Sequence, residues 1–159
     1  MTASGYAAPD EPRPIIPALG RFYAWSRDLS YLVLRLTAGG MLLVHGIVKL
    51  TSSTVAGFAA SGLARRGIEP SLPLAYLVWF METAGAVGIM LGLFTRIFAV
   101  GAIIEFAVII FVAHWKLGFF WTRPGGGWEY PLLWGLLFVV IALRGGGPYS
   151  LDRRIGREF

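Results

Sequence analysis

The sequence contains no cysteine. Disulfides, cysteine metal sites and thiol redox chemistry are therefore excluded. Charge is scarce as well: Asp, Glu, Lys and Arg make up 14% of the residues, against about 25% in an average soluble domain. No cleavable signal peptide is expected, because the first ~28 residues are polar and Pro-rich and the apolar run after them is too long for a signal h-region. Nucleotide-type glycine loops are missing too. Gly125–Gly127 and Gly145–Gly147 read as turns, since neither follows a strand.

What is present is apolar surface. Hydrophobic residues make up 56% of the 159 positions, and mean hydropathy is +0.65. That composition belongs to an integral membrane protein, and the length suits one compact domain. The net charge of +5 is no nucleic-acid signal. The arginines cluster at the ends of apolar runs, where they orient helices against an anionic leaflet. The expected partner is the lipid bilayer, with no nucleic acid.

Four apolar runs stand out, at about Leu29–Leu50, Leu72–Phe94, Ile97–Trp115 and Pro131–Leu143. A helix crosses ~30 Å of hydrocarbon in ~20 residues. The first three runs qualify, and the fourth does so only with Trp128, Glu129 and Tyr130 counted in. The expected fold is all-α: a four-helix transmembrane bundle over residues 29–144, with a short interfacial helix at Val55–Ala64 on the outer surface. Residues 1–28 are expected to be a largely disordered cytoplasmic segment with juxtamembrane aromatics, and 145–159 a basic cytoplasmic tail. Eight Lys and Arg flank the runs on the side of the termini and five on the other, so both termini are expected in the cytoplasm.

Seven ionisable side chains fall inside or at the edge of these runs: Arg35, His45, Lys49, Glu82, Glu105, His114 and Glu129. A charge at the bilayer centre costs at least ~2.5–3.5 kcal/mol, so each needs a partner, water or a function. At ~1.5 Å of rise per residue, Arg35 and Glu105 share an inner level, which predicts a structural ion pair. His45 and His114 share an outer level above Glu82, with Lys49 and Glu129 at the outer boundary. The bland alternatives are snorkelling for Lys49, a favourable helix dipole for Glu129 and ordinary hydrogen-bonded bundle histidines. Gly39 and Gly46 lie beside the polar face of the first run and allow a close neighbour. Gly85, Gly88 and Gly92 form a second such stripe.

The outer group, His45, Lys49, Glu82, His114 and Glu129, is the candidate catalytic site. His45, Glu82 and His114 could bind a divalent metal, and His45 with His114 a haem. A quinone head group needs donors at its carbonyls, an aromatic wall and a proton-moving carboxylate. His45, His114, Trp115, Trp128 and Glu82 supply these. One observation resists: Glu105 and His114 are nine residues apart and point ~180° from each other on a straight helix.

The segments Arg35-Leu36, Val44–Leu50, Glu82-Thr83-Ala84-Gly85, Gly92-Leu93-Phe94-Thr95-Arg96, His114, Gly126–Leu133 and Tyr149-Ser150-Leu151-Asp152 together resemble the DoxX family of small four-helix membrane proteins, over about residues 29–152. The resemblance implies an association with thiosulfate:quinone oxidoreduction, or with oxidoreductase assemblies that handle sulfur compounds or oxidative stress. The positions matching the family pattern are His45, Lys49, Glu82, His114 and Glu129. The expected function is a component of quinone-linked oxidoreductase chemistry in the bacterial inner membrane. The alternative is a non-catalytic accessory subunit of a larger membrane complex.

Overall fold

The computed structural model describes residues 14–158. Among them the structure is all-helical and contains no strand. α1 runs Gly20–Thr51, preceded by a single tight turn at Pro17–Leu19. α2 is a short segment after α1 that begins at Val55–Phe58 and continues through a wide turn, Ala59–Leu63, and a tight one, Ala64–Arg66. α3 spans Ser71–Leu91 and α4 spans Thr95–Leu117. α5 is Glu129–Arg144, and α6 is the short helix Leu151–Ile155. α1 with its leading turn, α3 and α4 are long and apolar enough to cross a membrane.

Helix begins well before the expected boundary. Residues 1–13 of the segment expected to be disordered lie outside the described residues, but Gly20–Asp28 is already the first part of α1. Nothing in Arg21–Asp28 breaks a helix, and the aromatics Phe22, Tyr23 and Trp25 stack along it.

The core is built from small residues that let backbones approach. Ala38, Leu42, Ala86, Ile89, Ala99, Ala102, Phe138 and Ile141 form one buried cluster. A Cβ added to Gly39 would lie 2.8 Å from the Ala86 carbonyl, and one added to Gly46 would lie 2.7 Å from the Glu82 carbonyl. α1 therefore packs directly on the backbone of α3, as the glycine positions predict. α4 and α5 meet through Phe106 and Phe138, whose rings stack 5.6 Å apart. α2 folds its apolar side onto the outer end of α3, burying Val55, Ala59 and Leu63 around Ala75. Much of the outward-facing surface of the long helices is apolar and exposed, as at Val33, Val44, Ile104 and Val108, which is the surface lipid would cover.

Besides the wide turn of α2, two of the long helices depart from α geometry. α3 widens into a π-helical turn at Met81–Gly85, and α4 does so at Ile109–His114. Each wide turn carries a candidate site residue, Glu82 and His114. Such turns recur at functional sites because they re-aim a side chain without ending the helix.

Arg35 closes the opposite end of the molecule. It is 1% exposed, and its guanidinium donates to the carbonyls of Gly146, Tyr149 and Met90. The expected pairing with Glu105 does not form. A guanidinium carries five donors in a planar fork, and the segment after α5 folds back to offer carbonyls on that plane. The same segment supplies Asp152, whose carboxylate accepts from Phe94 N at 2.8 Å, Thr95 N at 3.0 Å and Thr95 Oγ1 at 2.7 Å. Asp152 thus caps the first turn of α4 from a distant part of the chain. Arg96 in turn donates to the Ala142 and Leu143 carbonyls at the end of α5. Three of the family-like segments, at Arg35, Gly92–Arg96 and Tyr149–Asp152, meet in this one clasp.

Candidate functional site

Lys49 lies near the C-terminal end of α1, two residues before the helix stops. Its chain bends inward instead of outward. Nζ reaches both oxygens of Glu82, at 2.7 and 2.5 Å, and sits 4.5 Å from the centre of the Phe58 ring. The contact at Gly46 brings the two helices close enough for this reach, and Phe58 of α2 covers the ammonium from outside. Both side chains are nearly buried, 12% and 6% exposed. In a low-dielectric interior each charge requires the other.

Glu105 stands beside this pair. Its carboxyl lines the same cavity as that of Glu82, and its buried Oε2 has no hydrogen-bond partner among the described residues. Lys49 is engaged by Glu82, and among the described residues Glu105 forms no ion pair of its own. Glu82 from α3 and Glu105 from α4 line a cavity of about 460 Å3, and Lys49 from α1 stands behind Glu82.

His45 and His114 line the same cavity. The angular conflict between Glu105 and His114 is resolved by the π turn. One additional residue in that turn retards the helical rotation by about 100°, so the ~180° offset of a straight helix falls to roughly 80°. The His114 ring makes use of the distortion. Nδ1 lies 3.2 Å from the Ile109 carbonyl, and since a carbonyl can only accept, Nδ1–H is the donor. In the neutral ring Nε2 is then an acceptor on the side of Gly126. His45 is exposed at the cavity margin.

The aromatic wall differs from the one expected. Trp115 and Trp128 stack on each other, with ring centres 5.6 Å apart, and neither lines the cavity. Trp121, Tyr130, Trp134, Phe106 and Phe138 line it instead. Trp115 follows the π turn, which rotates it outward, and Trp128 is anchored through its N–H to the Gly118 carbonyl at 3.1 Å.

Glu129 does not face the cavity either. Its Oε2 accepts from Trp121 N at 3.1 Å, so it closes the loop between α4 and α5 and sets the position of Trp121. Nor does the metal set form. Among the described residues no three of His, Asp and Glu gather at metal-binding spacing, because Glu82 is turned toward Lys49. Of the expected outer group, His45, Glu82 and His114 reach the cavity, and Lys49 acts on it through Glu82. Glu105, assigned from its depth to the inner layer, belongs to this site.

Comparison with known proteins reaches the level of family. A family model described as DoxX matches residues 30–115, a span that holds Arg35, His45, Lys49, Glu82, Glu105 and His114. A protein of Haemophilus influenzae described as uncharacterized is 30% identical over 127 residues, covering 79% of this chain and 90% of that protein. No solved structure matches the chain.

Proposed function

Since the chain belongs to the DoxX family, we propose that it is a four-helix protein of the bacterial inner membrane that binds a quinone ring in the cavity between His45, Glu105 and His114 and takes part in quinone-linked oxidoreduction. In this reading α5 also spans the bilayer, α2 lies in the outer interface, and the clasp end with both termini faces the cytoplasm. The balance of Lys and Arg supports that orientation.

The observation that carries the reading is the composition of the cavity. Its volume of about 460 Å3 lies in the ~300–1,000 Å3 range of small-molecule sites. Its walls are aromatic and aliphatic, and the few polar groups converge from three helices. That arrangement matches a flat ring with an oxygen at either end. His114 offers Nε2 and His45 its ring nitrogens on one side, and Glu105 offers a carboxyl on the other. Trp121, Tyr130 and Trp134 supply faces for stacking.

Each polar residue of the chain then has a role. Glu105, whose Oε2 has no hydrogen-bond partner among the described residues, is the group placed to exchange a proton with a ring oxygen. Glu82 receives or returns that proton while Lys49 holds its charge in place. His114, an acceptor at Nε2, receives a hydrogen bond from one hydroxyl of the reduced ring, its orientation set by the Ile109 carbonyl. Quinone bound at the site supplies the two-electron chemistry. The electrons come from another molecule, which the resemblance associates with sulfur compounds or oxidative stress. The accessory-subunit alternative rests on the exposed apolar belt, and lipid alone covers that equally well.

The test is direct. Purified protein in detergent is titrated with a ubiquinone analogue, following tryptophan quenching and the quinone that co-purifies. Saturable binding that Glu105→Gln and His114→Phe weaken is the expected result. A preparation free of quinone that also fails to bind the added analogue refutes the reading.

A further inference from the structure

The route into the cavity can be read from how its flanking helices are held. α1 and α5 form its two sides, with α3 and α4 behind. At the clasp end α1 and α5 are tied together. Arg144 covers the Tyr31 ring at 4.3 Å, the Tyr31 hydroxyl donates to the carbonyls of Ile141 and Gly145, and Arg144 pairs with Asp28 at 3.8 Å. Farther along, each helix turns to a different neighbour. α1 presses Gly39 and Gly46 on α3, while α5 stacks Phe138 on Phe106 of α4. The two helices are pinned at one end, share the buried cluster around Phe138, and beyond it pack on different neighbours.

Met41 marks the result. It lines the cavity and is also 45% exposed. It lies ten positions before the end of α1, roughly 15 Å below the outer end of that helix. Tyr130 on the facing helix is likewise both lining and exposed, at 50%. A cavity residue exposed at that depth opens sideways, to the hydrocarbon. The opening is apolar at Met41 and carries His45 one turn farther along α1, whereas the far wall carries Glu105 and His114.

The geometry points to a lateral gate between α1 and α5 that admits a ligand with a hydrogen-bonding head and a long apolar tail, the head reaching Glu105 and His114 and the tail leaving past Met41 into the bilayer. This rests on the ring-binding reading and narrows it to lipid-resident ligands. A ligand of that shape keeps its tail in hydrocarbon throughout and exposes no apolar surface to water on binding.

The sequence has no native cysteine, so Met41→Cys can carry a single nitroxide label. In liposomes the label is expected to collide with lipid-dissolved oxygen in preference to an aqueous nickel chelate. A quinone with a long isoprenoid tail lowers the oxygen collisions, and a tail-less quinone leaves them unchanged. In a second variant, Met41→Trp narrows the gate. It weakens binding of the tailed quinone about tenfold and shifts that of the tail-less ring by no more than about twofold. A label reached better by the nickel chelate than by oxygen overturns the gate. So does Met41→Trp weakening both quinones equally or neither. Wild-type protein that binds neither quinone, with the label still reached from lipid, overturns the ring-binding reading and the tailed ligand with it.

Discussion

Lys49 and Glu82 form a two-oxygen ion pair, 2.5 and 2.7 Å, between the outer end of α1 and the π turn of α3. The pair joins the stability of the bundle to the site, since Glu82 lines the cavity and Lys49 fixes it there. Lys49→Met leaves a carboxylate buried without its cation. Breaking such a pair from one side costs about 3–5 kcal/mol, so the unfolding temperature in detergent falls well below that of the wild type. Adding Glu82→Gln to Lys49→Met restores much of the loss. Equal stabilities for the single and double variants would show that the pair does not couple.

Glu105 is predicted to behave in the opposite way. Its buried Oε2 has no hydrogen-bond partner, so Glu105→Gln breaks no bond to that atom and removes a carboxyl group beside Glu82. Thermal unfolding is expected at or above the wild-type temperature, with quinone affinity lowered about tenfold, or about 1.4 kcal/mol. A variant that loses stability and binding together would make Glu105 a packing residue.

Asp152 holds the clasp. Asp152→Ala leaves the Phe94 and Thr95 N–H groups and the Thr95 hydroxyl without their acceptor, at about 1–3 kcal/mol for a buried group left unsatisfied. The segment carrying Arg153 and Arg154 is then released, and trypsin cleaves there faster than in the wild type. Ring binding stays unchanged, because the clasp is at the other end of the bundle.

Two glycines of α1 give a paired test. A Cβ at Gly40 meets nothing within 4 Å, so Gly40→Ala raises stability by about 0.5–1 kcal/mol through helix propensity. A Cβ at Gly46 lies 2.6 Å from Thr83 and 2.7 Å from the Glu82 carbonyl. Gly46→Ala pushes α1 off the π turn and costs about 1–3 kcal/mol. Opposite shifts in unfolding temperature are expected from the same chemical change.

The long helices are legible in the sequence because membrane spans write themselves as long apolar runs, and the Gly39 and Gly46 contact because small residues recur on one face. Depth alone is a poor guide to partners. A ruler along each helix puts Arg35 opposite Glu105, but Arg35 bonds backbone carbonyls near residues 146 and 149, and no side-chain pattern announces a carbonyl. The ruler puts Lys49 at the boundary because it measures Cα positions, whereas the side chain reaches inward to Glu82. A wheel of 100° per residue separates Glu105 from His114, because nothing in Ile109–His114 signals a π turn. Trp121 is visible only as one of many outer aromatics. Its place at the cavity depends on a loop bond from Glu129 that periodicity does not encode.

The clasp also sets an order in time. Arg35 is synthesised early, and its acceptor at Gly146 follows 111 residues later. At roughly 5–20 residues per second, a ribosome needs about 5–20 s to supply that carbonyl. Throughout that interval the first helix carries an uncompensated guanidinium, which keeps that level of the helix near water or the insertion machinery. Final seating of α1 therefore waits for the segment after α5 to emerge.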